Sequence, residues 1–343
     1  MEKRPIVIVT GADGQVATEY QLSTSLANWD FLFLRRTDMD ITKPEQIKKV
    51  FDHFSPDACV NLAAYTNVDK AEKEETQQAY DINTLGPLNL AIACKEKGIP
   101  LIHFSTDYVF DGAYTDKPYT EDSPVNPLSN YGRTKLLGEQ MITKNHDWYY
   151  IIRTSWVYSN HSTSNFFVKM LNLAQERYEI NVVQDQWGSP TSSKELCRAI
   201  DTILQNLDKN LTGVYHFSGM GRTNWKDFAT EIFTQSKVNV LVKGTSTASW
   251  PSIVTRPANS YMSSNKFASV FSYQPMHWKN ALKEILSDRK VLPIKVGDNV
   301  YLENEECIIV STDWLKRVAR VSLISNMNQS TEIPFEILEI RAI

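Results

Sequence analysis

Short apolar runs alternate with amphipathic stretches over the first 158 residues. Helical patterns lie between these runs, including one that begins at Pro44 and one that Gly98 ends. The alternation predicts an α/β fold built on a Rossmann-like, doubly wound parallel sheet. The runs are rich in β-branched and aromatic residues, as expected for buried parallel strands, and they cover residues 6–9, 31–34, 58–62, 101–105 and 150–156.

After residue 158 the alternation becomes less regular. Helical patterns cover residues 165–177 and 196–207, and a strand-like run lies at 180–183. We expect residues 159–288 to form a smaller α/β substrate-binding lobe beside a nucleotide-binding domain of residues 1–158. The chain is predicted to return to the first domain near residues 177–190 and 212–222.

The C-terminal residues 289–343 follow a third pattern. Four apolar β segments are separated by polar turns, at residues 296–302, 307–311, 319–324 and 333–340. They predict a small all-β domain appended to the α/β part of the chain. We find no catalytic grouping in this segment, so its role stays open.

Composition and charge narrow the class of protein. The 343 residues are 42% hydrophobic and 22% charged, with a formal net charge of −4. This balance is that of a globular chain and gives no general footprint for nucleic acid or membrane. The four cysteines show neither zinc-ligand nor disulfide spacing, and no apolar run approaches the length of a membrane span. We therefore expect a reduced, cytoplasmic protein.

A glycine-containing turn, residues 10–17, follows the first strand pattern directly. Gly11 permits a tight turn, and Gly14 lets backbone approach a pyrophosphate at a helix N-terminus. The GxxGxxA spacing also fits a plain turn, but its place after the first strand favours a dinucleotide. The predicted cofactor contacts in this turn are Gly11, Asp13, Gly14, Gln15 and Val16.

Two arginines, Arg35 and Arg36, end the second strand pattern. An NAD site usually has an acid at this place, whereas two guanidinium groups suit the 2'-phosphate of NADPH. We therefore expect NADPH, with NADH as the second choice; the alternative is that both side chains simply face water. The other predicted cofactor contacts are Asp40, Ile41, Ala63, Ala64 and Tyr65.

The strongest candidate for chemistry is Tyr131, four residues before Lys135. On a helix this spacing puts both side chains on one face. A free tyrosine titrates near pH ~10, and lowering its pKa by roughly 3 units takes about 4 kcal/mol, which one cation at about 4 Å supplies at an effective dielectric near 20. The pair predicts an acid for a carbonyl oxygen, although such pairs also occur by chance on surface helices.

Polar residues upstream support this interpretation. Thr106 and Asp107 end the fourth strand pattern, where α/β sheets bind their ligands. His103 lies within that strand, and we interpret it as a packed core histidine rather than a base. Asn83, at the start of a helical pattern, is predicted to face the core and to hold backbone or a water molecule.

Several motifs together resemble the extended short-chain dehydrogenase/reductase family. The general pattern is matched by Thr10-Gly11-x-x-Gly14, Ser105-Thr106 and Tyr131-x-x-x-Lys135. The stretches at residues 60–72, 105–112, 153–158 and 185–191 are similar to those of a narrower group, the dTDP-4-dehydrorhamnose reductases. The resemblance covers roughly residues 5–288 and leaves out the C-terminal β segment.

The resemblance implies a reaction and roles for named residues. The implied reaction reduces the C4 keto group of dTDP-4-dehydro-6-deoxy-L-mannose and gives dTDP-L-rhamnose, which is used in bacterial polysaccharides. NAD(P)H would supply the hydride and Tyr131 the proton. Lys135 would keep the phenol acidic and hold the nicotinamide ribose, while Thr106 would hydrogen-bond the carbonyl oxygen. The implied substrate contacts are Asp107, Tyr108 and Trp156 at the sugar, and Asn165 and Arg256 at the diphosphate; Arg256 also fits a plain surface arginine.

The resemblance leaves two assembly questions open. Family members have been described with Mg²⁺ held by glutamates at a dimer contact, and Glu19 matches one such position. Ser192-Ser193-Lys194 stands where another acid is expected, which puts the metal in doubt. A homodimer is likewise implied, but the added C-terminal segment could block or replace its contact.

Two other functions fit the same motifs. One is reduction of a different nucleotide-linked 4-keto-6-deoxy sugar, because pocket residues rather than the Thr106/Tyr131/Lys135 set choose the sugar and base. The other is a non-catalytic subunit, because the methionine adenosyltransferase regulatory subunit resembles this same family. The intact catalytic set favours an enzyme.

Overall fold

The structure is a computed structural model that describes residues 4–24, 26, 28–113, 117–162, 164–249, 252–288, 299–302, 305–313, 318–323 and 326–334. Its strands are β1 (Ile6–Thr10), β2 (Asp30–Leu34), β3 (Ala58–Asn61), β4 (Leu101–Thr106), β5 (Tyr149–Thr154), β6 (Val157–Tyr158), β7 (Glu179–Val183), β8 (Trp187–Gly188), β9 (Thr191–Ser192), β10 (Gly213–His216), β11 (Thr223–Asn224), β12 (Leu241–Thr245), β13 (Asn299–Leu302), β14 (Glu305–Asp313), β15 (Val318–Leu323) and β16 (Asn326–Pro334).

The helices follow the same chain order. They are α1 (Gln15–Ser23), α2 (Pro44–Phe54), α3 (Val68–Ala71), α4 (Thr76–Tyr80), α5 (Gly86–Lys97), α6 (Asn130–Asn145), α7 (Phe166–Glu176), α8 (Ser193–Gln205), α9 (Trp225–Gln235), α10 (Asn265–Phe271) and α11 (Trp278–Asp288). Within the described part of the chain, no helix combines the length and apolar character that a bilayer crossing requires.

A six-stranded parallel sheet with the order β10-β5-β4-β3-β1-β2 forms the centre of the fold. The five apolar runs predicted as buried strands are its first five members in chain order, and the Rossmann-like, doubly wound fold class is confirmed. Register pairs Thr10 with Asn61, and Asn61 with His103. These three polar residues therefore lie side by side near the carboxyl ends of neighbouring strands.

Alternate residues of each central strand enter two different cores, as a sheet covered on both faces requires. Val7 and Val9 pack with α1 and α8 on one face, while Ile8 packs with α2 and α5 on the other. A third core, formed by residues of α7, α9 and α11, belongs to the smaller lobe. These helices thus share a core that is separate from the two sheet faces.

The two expected returns to the first domain have different outcomes. β10 pairs with β5 and extends the central sheet, which agrees with the return near residues 212–222. β7 instead pairs with β12 in a separate two-stranded sheet, so the strand in the 177–190 stretch does not join the central sheet. Periodicity identified β7 as a strand but carried no information about its partner.

A π-helical turn at Asp81–Leu85 precedes α5. It directs Asn83 inward, where the side-chain oxygen accepts from Tyr65 N at 2.9 Å and the amide donates to Tyr65 O at 3.0 Å. Asn83 therefore holds the backbone of the loop after β3, as the sequence predicts.

The C-terminal segment contains an antiparallel sheet in the order β13-β14-β15-β16. The first three predicted segments correspond to β13, β14 and β15. The fourth predicted strand, at 333–340, overlaps β16 (Asn326–Pro334) at residues 333–334, and residues 335–340 lie outside the described residues. The earlier part of β16 is mostly polar, so the search for apolar runs did not include it.

Candidate active site

A cavity of about 710 Å³ lies over the carboxyl ends of the parallel strands. Ligands bind at this edge in open α/β sheets. Its lining includes the turn before α1, the loop after β3, the end of β4, the start of α6 and the loop between β5 and β6. The predicted residues that it brings together are Asp13, Gly14, Gln15, Val16, Ala64, Thr106, Asp107, Tyr108, Tyr131, Lys135 and Trp156.

Tyr131 lies in the first turn of α6, which begins with a side-chain cap: Ser129 Oγ accepts from Gly132 N at 3.1 Å. Its ring meets the Tyr108 ring edge-on, with centroids 5.5 Å apart. Burial raises the pKa of Tyr131 well above its ordinary value, and a hydrogen bond with Thr106 opposes that rise. The phenol is therefore a proton donor rather than a phenolate at neutral pH.

The Lys135 side chain reaches the central sheet. Its ammonium Nζ donates to the Phe104 carbonyl at 2.6 Å, and the side chain is 2% exposed. Burial lowers the pKa of Lys135 to about 8, against the opposing charge of Glu139. We expected Lys135 to bring the Tyr131 pKa down; instead a buried amine needs a hydrogen-bond acceptor, and β4 supplies it.

Asp107 follows Thr106 and is 2% exposed. Burial raises the pKa of Asp107 to about 6, although hydrogen bonds with Ser260 and Thr106 act in the opposite direction. Thr106 Oγ1 donates to Asp107 Oδ1 at 3.1 Å. This carboxyl group exchanges a proton near neutrality and lies beside the candidate acid.

Trp156 has a backbone φ of +49°. A bulky residue in the left-handed region is strained by about 1 kcal/mol or more, so neighbouring contacts must hold it. Its ring stacks on Trp225, with centroids 3.6 Å apart and planes 8° from parallel. On Gly188, a Cβ would lie 2.6 Å from the Trp156 ring. The residue at 188 must therefore be glycine for the tryptophan to occupy this place.

Sequence reasoning missed Trp225. The pattern around Asn224-Trp225 indicated only the start of a helix, and Asn224 does cap α9 by accepting from Asp227 N at 2.9 Å. Nothing in the spacing connects Trp225 with Trp156, which is 69 positions earlier. The contact exists because the smaller lobe folds back over the end of β5.

A second cavity of about 280 Å³ continues from the glycine turn toward β2. Gly11 has φ +72°, and a Cβ there would lie 2.7 Å from Ala63 N, so the turn requires glycine. The predicted residues that line this cavity are Gly11, Asp13, Gly14, Arg36, Asp40, Ile41, Ala63 and Ala64. A glycine turn, a helix N-terminus and a cationic end together fit a dinucleotide.

Two further predicted cofactor residues have other contacts. Arg35 Nε forms an exposed ion pair with Asp13 Oδ1 at 3.2 Å, beside the pair between Arg36 Nε and Asp40 Oδ2 at 3.0 Å. Tyr65 donates its hydroxyl to Glu75 at 2.5 Å and packs toward Tyr131. Tyr65 therefore supports the wall behind Tyr131.

The two residues expected at the diphosphate end lie in different settings. Arg256 NH2 pairs with Asp69 at 3.2 Å, and its NH1 donates to Ser252 Oγ at 2.5 Å. It also interacts with Tyr108, so it lies at the rim of the large cavity. Asn165 instead caps α7 by accepting from Val168 N at 2.9 Å and donates to Gln15 Oε1 at 3.0 Å. Its polar atoms are occupied within the protein.

Glu19, which the resemblance relates to a magnesium ligand, has partners within the chain. Its carboxylate accepts from Ser193 Oγ at 2.9 Å and lies 3.4 Å from His161 Nε2. These partners lower the pKa of the Glu19 carboxyl against the effect of burial. Among the described residues there is no group of three or more metal-ligating side chains.

A buried ion pair lies beneath the cavity. Arg153 NH2 donates to Glu139 Oε2 at 2.7 Å, and both side chains are nearly inaccessible. Ser105 Oγ also donates to Glu139. We call Ser105, Glu139 and Arg153 the floor triad. It joins β4, β5 and α6 directly below Thr106.

Known proteins of similar sequence and structure cover the same part of the chain. The profile of the family described as "RmlD substrate binding domain" matches residues 5–291. A dTDP-4-dehydrorhamnose reductase of Aggregatibacter actinomycetemcomitans is 37% identical over 81% of this chain and 97% of its own. The spore coat polysaccharide biosynthesis protein SpsK of Bacillus subtilis is 38% identical over 82% and 97%, respectively.

The structural comparison agrees. The crystal structure of dTDP-4-dehydrorhamnose reductase from Bacillus anthracis in complex with NADP superposes with a TM-score of 0.79 at 34% identity. It covers 83% of this chain and all of that chain. Residues 292–343, which include β13 to β16, lie beyond the family match.

Proposed function

The chain belongs to the dTDP-4-dehydrorhamnose reductase family, and from this premise we propose that Tyr131 is the proton donor of its reaction. The protein is an NADP-dependent oxidoreductase of nucleotide-sugar metabolism. It reduces the 4-keto group of dTDP-4-dehydro-L-rhamnose to give dTDP-L-rhamnose, a precursor of polysaccharides. When bound, NADPH supplies the hydride that reaches C4 of the sugar.

The observation that carries the proposal is the convergence of Thr106, Tyr131 and Asp107 in the cavity that continues from the glycine turn. As hydride adds to C4, the carbonyl oxygen becomes an alkoxide that must be protonated. The high pKa of Tyr131 keeps its proton in place until that charge develops. Thr106 would hold the carbonyl oxygen, since a fixed donor at the developing charge is worth a few kcal/mol.

Binding roles follow from the positions of the remaining residues. We propose that Lys135 holds the nicotinamide ribose and that Arg36 and Arg35 bind the 2'-phosphate of NADPH at the outer end. Asp107, Tyr108 and Trp156 would contact the sugar, with the open side of the Trp156 ring as its apolar surface. Arg256, at the rim, would exchange Asp69 for the diphosphate.

We further propose that the enzyme works in the cytoplasm and without Mg²⁺. Cys59, Cys94 and Cys197 are buried thiols outside any disulfide, as in proteins of reducing compartments. The Glu19 carboxylate contacts His161 and Ser193 within the chain. We also propose that residues 1–158 form the cofactor domain and residues 159–288 the substrate domain. A homodimer and the role of residues 289–343 are separate questions for solution measurement.

The direct test follows NADPH oxidation at 340 nm with dTDP-4-dehydro-6-deoxy-L-mannose. Tyr131→Phe should lower kcat at least about 10²-fold, the usual loss of a general acid, while NADPH binding by fluorescence stays within twofold. Tyr149→Phe, which changes a tyrosine of β5 outside the cavity lining, is the matched control. Retained turnover in Tyr131→Phe would refute the proposed role.

Parallel reactions separate the alternatives. Turnover with NADH and with EDTA tests the cofactor and the metal, and GDP- and CDP-linked keto sugars test the base. Faster turnover of one of those sugars would indicate a different nucleotide-sugar reductase. A folded, NADPH-binding protein that reduces no keto sugar would favour the non-catalytic subunit.

A further inference from the structure

A series of buried polar side chains runs beneath Lys135. Thr10 Oγ1 donates to Asn61 Oδ1 at 2.6 Å, and Asn61 Nδ2 lies 2.9 Å from His103 Nδ1. The other ring nitrogen, Nε2, lies 3.4 Å from Lys135 Nζ. All four residues are at most 2% exposed. The histidine was expected to be packed core, and it is buried, but it also contacts a predicted catalytic side chain.

The hydrogen bonds assign the tautomer of His103. Asn61 Oδ1 accepts from both the Thr10 hydroxyl and Ala63 N, the latter at 3.2 Å. The amide nitrogen of Asn61 therefore faces Nδ1 and donates to it. Because burial and the charge of Lys135 hold the pKa of His103 well below its usual range, the ring is neutral. Its single proton is then on Nε2, which faces Lys135 Nζ.

An N–H that faces an amine nitrogen suits the lone pair of the neutral amine and opposes the ammonium. We propose that His103 is a positioning residue for the reduction: its Nε2–H fixes Lys135 Nζ beside the Phe104 carbonyl and favours release of the lysine proton. This inference rests on the proposed function. After Tyr131 has protonated the sugar oxygen, an O–H bond re-forms on the phenolate as an N–H bond of Lys135 breaks, and solvent returns that proton.

Burial is the main cause of the low pKa of Lys135, and the other charges around the lysine do not add to this lowering. Glu139, one turn later on α6, favours the ammonium, but its charge is shared with Arg153 of β5. Tyr131, one turn earlier, is neutral at pH 7, and Asp107 at the end of β4 titrates near pH 6. His103 is thus the neighbour whose orientation specifically disfavours the charged lysine.

His103→Asn isolates this contact. The shorter amide can occupy the place of Nδ1 and keep a partner for Asn61, while the group that faces Lys135 is removed. In the full-length protein labelled with ¹³Cε-lysine, the NMR titration midpoint of Lys135, assigned with Lys135→Met, should rise by about one pH unit. Because only the ammonium form of Lys135 can release a proton, the alkaline limb of the pH profile of kcat should move to higher pH by the same amount. The ammonium is then a weaker acid, so kcat at pH 7 should fall about tenfold.

His146→Asn is the matched control, because His146 is also buried and ends α6, but its Nε2 contacts Ile99 O at 3.0 Å. In His146→Asn, the NMR titration midpoint of Lys135 should equal that of the wild type. His103→Gln, made in parallel, places an amide that can accept from the ammonium, so its midpoint should also rise. A wild-type midpoint in whichever His103 variant folds overturns the inference.

The same experiment separates this inference from the proposed function. If the wild-type enzyme turns over and the His103 variants keep its pH profile, His103 has no positioning role while the reductase assignment stands. If the wild-type protein reduces no keto sugar, the proposed function fails, and the NMR midpoints alone decide whether His103 controls Lys135.

Discussion

The floor triad and the rim of the cavity both contain charged pairs, but they differ in burial. Arg153 and Glu139 are 7% and 4% exposed, whereas Arg256 and Asp69 are 27% and 54% exposed. Breaking a buried pair leaves an uncompensated charge in a low dielectric, whereas an exposed pair is screened by water. The difference indicates that the floor holds the site together and that the rim remains available for exchange with an anionic ligand.

The largest effect is expected from the floor triad. Arg153→Met should lower the free energy of unfolding by about 3–5 kcal/mol, because Glu139 is left charged and buried without its partner. Urea denaturation at pH 7 measures the change. Lys48→Met, which breaks the exposed pair between Lys48 and Asp52, should leave the midpoint unchanged. Equal losses in the two variants would remove the distinction between floor and surface.

Asp107 should show that a buried carboxylate at the site is held at a cost in stability. Its folded pKa of about 6 exceeds the unfolded value near ~4, so the native state binds the extra proton and stability falls as pH rises from about 4 to 6. Above pH 6 the Asp107→Asn substitution should therefore raise the free energy of unfolding by up to about 3 kcal/mol relative to the wild type, and below pH 4 this increase should vanish.

Thermal unfolding of Asp107→Asn and wild type at pH 4 and pH 8 measures this pH-dependent increase in stability. The activity of the same variant should fall. Asp147→Asn is the control, since Lys209 lowers the pKa of that exposed carboxyl and no gain at high pH is expected. A gain of equal size at both pH values would show that packing rather than charge is responsible.

Arg36, at the outer end of the second cavity, should decide whether the enzyme prefers NADPH or NADH. Arg36→Gln is expected to raise KM for NADPH about tenfold, since a guanidinium–phosphate hydrogen bond is charge-assisted, and to leave KM for NADH within twofold. Steady-state kinetics with both cofactors measures the ratio. Lys43→Gln, a change nearby on the same surface, should leave both constants unchanged. An equal rise with NADH would place the 2'-phosphate elsewhere.

The smallest effect concerns the pair at the substrate rim. Asp69→Asn frees Arg256 from a competing carboxylate, so KM for the nucleotide sugar should fall about two- to threefold, the range of an exposed ion pair. The unfolding midpoint should not move. The control is Asp30→Asn, which breaks the exposed pair with Arg4 and should leave KM unchanged. A rise of KM in Asp69→Asn would mean that Asp69 positions Arg256 and does not compete with the diphosphate for it.

Much of this protein was determined by the sequence alone. Short β-branched runs predicted five parallel strands because a strand covered on both faces must be apolar throughout, and the glycine turn after β1 predicted the cofactor end of the sheet. The positions of Tyr131 and Lys135 on one helix followed from a four-residue spacing. These features are local, so the order of residues along the chain contains them.

The tertiary structure decided which polar groups meet. Trp225 reaches Trp156, and β16 forms from a polar segment, through contacts that no periodicity records. Lys135 Nζ donates to Phe104 O and faces His103, because the packing of α6 on the sheet brings this lysine to β4. Hydrogen bonds and charges between distant residues depend on register and packing, and these arise only when the chain is folded.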